Sequence, residues 1–307
     1  MHDPWPLAKK RRALELRARI LAELRRFFAD RDYLEIETPC LIPAPAPEFH
    51  IDTFPCAGWF LQPSPELCMK RLLAAGYDRI FQICRCFRQK ERGDRHLPEF
   101  TMLEWYRREA DYRDLMAECE ELLVQVAGAL GRGDLVTYQG VRIEIGAPWE
   151  RMTVGEAFDR FAPLPVAAAL AGDCFEEILA VHVEPRLGRR RPTFLYDYPL
   201  PLASLARVKR GDPAVAERFE LYIAGMELAN AFTELADEGE QRRRFAREEE
   251  ARRRAGKPPY PVPENFLAAL PALGTAAGIA LGVDRLVMIL ADAPHIDAVT
   301  AFTPETL

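Results

Sequence analysis

The sequence predicts an α+β fold, an antiparallel sheet flanked by helices. Two segments read as hairpins, 80–106 with a long polar loop and 218–232 around the turn Ala224-Gly225. Strand-like and helix-like stretches follow one another in irregular order, without the regular alternation of a parallel sheet. Neither GxGxxG nor GxxxxGKS/T occurs, so the nucleotide loops of Rossmann and P-loop folds are absent, and any ATP binds another way.

The 307 residues, 49% hydrophobic and 29% charged, suffice for one large core. They are expected to form a single domain, 1–307, carrying a helical insertion at about 112–190. A net charge of -6 gives none of the footprint of a protein that lives on nucleic acid. The seven cysteines show no paired CxxC spacing, so reduced cytoplasmic thiols are expected and zinc is not. The start of the chain has no export pattern, since prolines, a tryptophan and four consecutive basic residues occupy it. The uncharged stretch 266–283 is broken by Pro271, Gly274, Gly278 and Gly282, so it reads as buried sheet and turn, and no membrane association is expected.

Residues 12–31 place Leu16, Ile20, Leu24, Phe27 and Phe28 on one face of an amphipathic helix, serving a core or a subunit interface. Residues 33–38 alternate Leu34 and Ile36 with Glu35 and Glu37 before Pro39, as a strand does. Ser64-Pro65-Glu66 opens a helix, Ser64 as cap and Pro65 where a missing N–H costs nothing. Residues 112–130 repeat apolar positions at helical spacing, and Thr153-x-x-Glu156 and Asp173-x-x-Glu176 are capping boxes for short helices. Strands return at 193–198, 218–223 and 226–232. The charge run 241–255 sets Glu248, Glu249 and Glu250 four residues before Arg252, Arg253 and Arg254, a solvated helix. Residues 278–282 are strand-like and 283–290 helical.

Arg88, at the end of the first hairpin strand and on the face of Gln82, Cys84 and Cys86, can meet a phosphate or carboxylate bidentately. Glu104 and Tyr106 share a face of the returning strand. With a two-residue turn at Ala224-Gly225, Tyr222 opposes Glu227 and Glu220 opposes Ala229, which sets Glu220 and Glu227 about 7 or 8 Å apart on one face. Such carboxylates repel unless a cation joins them, and Mg²⁺ with phosphate oxygens is the natural one. Glu234, past Asn230, can take a side-chain ammonium. Arg285 begins a helix after Gly282, where amide ends and guanidinium together favour phosphate.

In this order the pieces resemble the catalytic domain of class II aminoacyl-tRNA synthetases, the lysine branch most closely. The helix, strand and Pro39 look like motif 1, which implies a homodimer. Phe87-Arg88 through His96 and Pro98 to Glu104 look like motif 2, and 278–285 looks like motif 3. Ser64-Pro65-Glu66 with Lys70-Arg71-Leu72, and the strings from Glu217 and from Glu227 to Leu235, resemble the substrate, metal and lysine elements of the same enzymes. The resemblance covers nearly the whole chain.

The resemblance implies ATP and Mg²⁺ as cofactors, with Arg88 and Arg285 catalytic on the phosphates and Glu220 and Glu227 on the metal. It implies Glu91, Phe100, Glu227, Leu228 and Gly282 among the ATP contacts, Phe100 stacking under adenine. Around the amino acid it implies Ser64, Pro65, Asn230 and Ala280, with Glu66 at the substrate amino group and Glu104, Tyr106 and Glu234 at the distal ammonium. Because motif 1 starts by about residue 12, no five-stranded anticodon-binding barrel is expected ahead of it. That layout is similar to the elongation factor P (R)-beta-lysine ligases, which transfer beta-lysine from an adenylate to a lysine side chain of elongation factor P. Ala280, where the synthetases tend to have glycine, adds a methyl that suits a shifted amino group. A truncated enzyme that charges tRNA and a silent amino-acid sensor are the competing expectations. Motif 2 departs from the pattern at Lys90, usually glutamate, and at Leu97, usually asparagine.

Overall fold

The computed structural model describes residues 5–307, with side chains from residue 7 onward. Residues 1–4, part of the start read above as unexported, lie outside the described residues. The chain opens with α1 (Trp5–Ala29), longer than expected at its N-terminal end. Ile20, Leu24, Phe27 and Phe28 are fully buried in the main core, and the Phe28 ring stacks on Phe81 at 4.7 Å. The apolar stripe of this helix therefore serves the core.

Strand β1 (Leu34–Glu35) is followed by a small three-stranded sheet and then α2 (Glu66–Ala74). Next come β2 (Arg79–Phe87), β3 (Glu99–Arg108) and α3 (Tyr112–Ala129). Strand β4 (Glu150–Thr153) leads into α4 (Val154–Phe161), and β5 (Thr193–Pro199), β6 (Val215–Ile223) and β7 (Met226–Thr233) follow. The chain closes through α5 (Glu238–Arg254), β8 (Ala276–Gly282) and α6 (Val283–Ala291). One eight-stranded sheet runs in the order β1-β2-β3-β8-β7-β6-β5-β4, antiparallel except at its two edges, where β1 joins β2 and β4 joins β5 in parallel. Helices α1, α3 and α6 share the main core with the sheet.

Four sequence expectations need correction. The segment 33–38 pairs over two residues only, with one further bond from the Ile36 N–H to the Phe81 carbonyl, and Leu34 is 50% exposed. An edge strand that meets Pro39 loses its donors and stops. The span 112–190 is not simply a helical insertion. Its first helix, α3, belongs to the main core and β4 is a sheet edge, while α4 and two short helices (Val166–Ala171, Phe175–Ile178) share a separate cluster against β5. The Thr153–Glu156 capping box forms, but Asp173 adopts φ 52°, and the helix at Phe175 begins after Cys174 with no side-chain cap. Helix α5 is not wholly solvated either. Arg252 is fully buried, donates to the Glu48 and Ile51 carbonyls and to Asp52, and lies 4.0 Å over Tyr260. Glu248 accepts the Phe49 N–H, and of the three expected pairs only Glu250–Arg254 forms, at 3.8 Å.

The second hairpin carries a further correction. Ala224 and Gly225 both adopt positive φ, 55° and 72°, the mirror-image turn that matches strand twist. Tyr222 pairs with Glu227 as expected, but the register then slips: Leu221 pairs with Ala229, and Glu220 with Asn230 instead of Ala229. Leu228 is the extra residue of a β-bulge. Strict alternation would send Glu227 and Asn230 to opposite faces. The bulge brings Glu227, Asn230 and Phe232 to one cavity.

Candidate active site

That cavity lies over the middle of the sheet, on β3, β8 and β7, and is walled by α2, the loop 88–98 and the proline-rich segment before Phe49. Ser64, Glu66, Arg88, Glu91, Phe100, Glu104, Tyr106, Glu227, Leu228, Asn230, Ala280, Gly282 and Arg285 all line it. Pro65, Glu220 and Glu234 of the predicted set do not. Pro65 is the N-cap of α2, and Ser64 accepts the Glu66 N–H at 3.0 Å, so the cap sits one residue later than expected.

One end is cationic. The Arg88 guanidinium lies 5.1 Å over the Phe100 ring and 3.8 Å from Glu91. Lys90, in a left-handed conformation with φ 63°, turns outward to Asp52 at 3.2 Å, so Glu91 is the acid of this loop that faces the cavity. Leu97, where the family usually has asparagine, is buried in the main core. Arg285 donates to the Glu227 carbonyl at 2.7 Å and meets His96 Nε2 at 2.5 Å. Burial and the Arg285 charge push His96 down to about 4, so its ring is neutral near pH 7 and Nε2 accepts. Beside Arg285, Asp284 is buried. It accepts from Arg17 of α1 at 2.6 Å and from the Thr101 N–H at 2.7 Å.

The other end is acidic. Glu104 accepts the Tyr106 hydroxyl at 2.5 Å and the Ser64 hydroxyl at 2.9 Å. Burial first, and then Glu66, push Glu104 up to about 8. Beneath it Lys70, 2% exposed, stands 2.5 Å from both Glu66 and Glu234. The Lys70 ammonium is held in its charged form by the two carboxylates against the pull of burial, and burial still pushes Glu234 up to about 8. Glu234 Oε1 is buried without a partner among the described residues. Only glycine fits at 278: a Cβ there would stand 2.1 Å from Tyr106 Cε1 and 2.6 Å from Glu234 Oε1. Ala280 sits between Glu104 on β3 and Asn230 on β7.

Glu220 lies below the cavity wall with its oxygens engaged, accepting from the Tyr198 and Tyr222 hydroxyls and from Arg218, each at 2.6 Å. Magnesium takes oxygen ligands, usually one or two carboxylates with phosphate oxygens and water. Glu227, facing the cavity, fits that role as it stands. Glu220 would have to add the ion to a carboxylate already holding three donors.

Several residues of the site escaped the sequence reading. Lys70, buried behind the cavity wall, is one, because nothing in a helical pattern says that a lysine is buried between two acids. Glu48, Arg95 and Ser204 line the cavity itself. Glu48 had one signal, a lone acid closing the run Pro43, Pro45, Pro47 in a loop.

Comparison with known proteins shows the family. The family model for class II tRNA synthetases (D, K and N) matches residues 7–306. The chain is 42% identical over 308 residues to the Elongation factor P--(R)-beta-lysine ligase of Enterobacter sp. strain 638, covering 94% of this chain and 93% of that protein. The protein of the same name from Salmonella gallinarum is 42% identical over 307 residues, and that from Salmonella paratyphi B 41% over 305, each with the same coverage. The chain thus belongs to the class II tRNA synthetases of the D, K and N group, within the branch that holds the elongation factor P (R)-beta-lysine ligases.

Proposed function

We propose that this ligase activates (R)-beta-lysine with ATP and transfers it to a lysine side chain of elongation factor P. The observation that carries the reading is the charge layout of one cavity. Arg88, Arg95 and Arg285 line it, and at the other end Glu66 and Glu104, with Glu234 buried behind the wall, outnumber the single ammonium of Lys70. Buried carboxylates in excess call for a cation, and a ligand ammonium supplies it. The names of the relatives point to beta-lysine and elongation factor P.

In the first step a carboxylate oxygen of the amino acid attacks the α-phosphorus of ATP, forming the acyl adenylate and expelling pyrophosphate. Arg88 pairs with both the amino-acid carboxylate and the α-phosphate, Arg285 with the distal phosphates, and fixed cations of this kind stabilise charge that develops in flight. Neutral His96 holds the Arg285 guanidinium from the side. Phe100 supports the adenine, with Glu91, Leu228 and Gly282 around the nucleotide. Magnesium, held by Glu227 and through a rearranged Glu220, would screen the β- and γ-phosphate charge. The distal ammonium lies among Glu104, Tyr106 and Glu234, beside Ser64 and Asn230. In the second step the acceptor lysine amine, as a free base, attacks the adenylate carbonyl. An amide forms, AMP leaves, and the amine loses a proton. All seven cysteines are free thiols, in keeping with a cytoplasmic setting. The likeness to the synthetases extends the proposal to a homodimer.

Incubation with ATP, beta-lysine and elongation factor P should add one lysyl mass to that factor. No added mass at saturating substrate refutes the proposal, and charging of bulk tRNA in its place would identify a tRNA ligase.

A further inference from the structure

We infer that Glu48 is a specificity-determining contact for the amino group nearest the substrate carboxylate. The inference rests on the proposed amino-acid reading and deepens it. Nearly every charged group around the cavity already has a partner. Glu66 has Lys70, Glu104 has the Tyr106 and Ser64 hydroxyls, and Glu227 has Arg285. Arg88 has Glu91, and Asp284 has Arg17. Glu48 alone among these wall carboxylates makes no hydrogen bond or ion pair through its side chain within the described residues, although Arg252 fixes its backbone through the Glu48 carbonyl at 2.9 Å. The backbone is pinned and the carboxylate is left facing the cavity.

Its surroundings say what it should bind. Glu66 and Arg88 line the same cavity and their charges act on Glu48, as do those of Glu248 and Arg218. Burial first, then the Glu66 charge, raise Glu48 to about 7, and a cation placed beside it would favour its charged form. A carboxylate that shares the cavity with the arginine proposed to take the substrate carboxylate, and feels its charge, suits an amino group close to that carboxylate. A beta-amino acid sets this ammonium one carbon further from the carboxylate than an alpha-amino acid does. Glu48 lines the cavity from the segment before Phe49, and Ala280 lines it from the sheet. Lysine-like ligands carry two ammonium groups. Glu104 and Glu234 suit the distal one, Glu66 is shared with Lys70, and Glu48 supplies the charge the second one lacks.

The test is ligand binding by calorimetry on the intact protein and on Glu48→Gln, with beta-lysine, alpha-lysine and 6-aminohexanoate, which keeps the carboxylate and distal ammonium but has no second amino group. Glu48→Gln should weaken beta-lysine by about tenfold to a hundredfold, the value of a charge-assisted hydrogen bond in a sheltered site. It should leave 6-aminohexanoate within about twofold, because that ligand offers Glu48 nothing. An equal loss for both ligands would mean a merely structural role, and an unchanged beta-lysine affinity would mean no contact; either overturns the inference while the amino-acid reading stands. Failure of the unmodified protein to bind any of the three would instead overturn the reading itself, and the role of Glu48 with it.

Discussion

Replacing Lys70 by methionine tests the buried charge arrangement most directly. Lys70 is 2% exposed and touches Glu66 and Glu234 at 2.5 Å each, so the variant keeps the stem and removes the one ammonium between two sheltered carboxyls. Removing one partner of a buried pair costs about 3–5 kcal/mol, because the remaining charge is left without compensation. Set against a typical total of about 5–15 kcal/mol, the loss is measurable and survivable. Guanidinium chloride titrations at pH 5.5 and 8.5 should show it growing with pH. Burial already raises Glu234 to about 8 against the opposing Lys70 charge, and loss of that charge raises it further. Its neutral form therefore favours the folded state at low pH, and stability falls as pH rises from the ordinary carboxyl range through that raised value. Adding Glu234→Gln should return part of the loss, since the neighbours couple. A loss under about 1 kcal/mol at pH 8.5, or equal losses at both pH values, would refute the reasoning.

Other expectations follow from single contacts. Arg88→Ala should abolish pyrophosphate exchange, and unmodified rates in that variant would mean that the hairpin has been misread. Gly278→Ala should destabilise by about 1–3 kcal/mol and lower affinity for lysine-like ligands, read by thermal unfolding and calorimetry, because its Cβ would displace the Tyr106 ring. In the unliganded protein, Glu104 and Glu234, both raised to about 8, make stability fall as pH rises from the ordinary carboxyl range through 8. Saturating beta-lysine should flatten that decline, and an unchanged slope would mean that no ammonium docks there. His96 should show no titration above about pH 5 by nuclear magnetic resonance, and a midpoint near 6.5 would contradict its position beside Arg285.

The sequence by itself determined the parts that local chemistry dictates. Alternating apolar residues bounded by a polar loop define β2 and β3, and Ala224-Gly225 fixes one turn because two positive φ values are needed there. Alternation along each strand puts Gln82 on the face of Arg88 and Glu104 on that of Tyr106, while the register between the strands, Gln82 opposite Glu104, came from the fold. Motif order tied these strands to a family whose site residues converge on one cavity, which is why most of that cavity was legible.

What the tertiary structure decided is everything that depends on partners distant in the chain. The bulge at Leu228 has no local signature, since it arises from the pairing of β7 with β6, yet it turns Asn230 and Phe232 to the face of Glu227. Burial of Arg252 and Lys70 in helices that read as solvated or amphipathic follows from carbonyls and carboxylates supplied by other segments. That the Glu220 oxygens already hold three donors was not legible, because a sequence gives proximity of charge and not saturation; Arg218 and Tyr222 flank it on β6, and Tyr198 reaches it only once β5 lies beside β6. Periodicity reports which side of an element is apolar, whereas the ionisation and availability of a side chain depend on what the folded chain places against it.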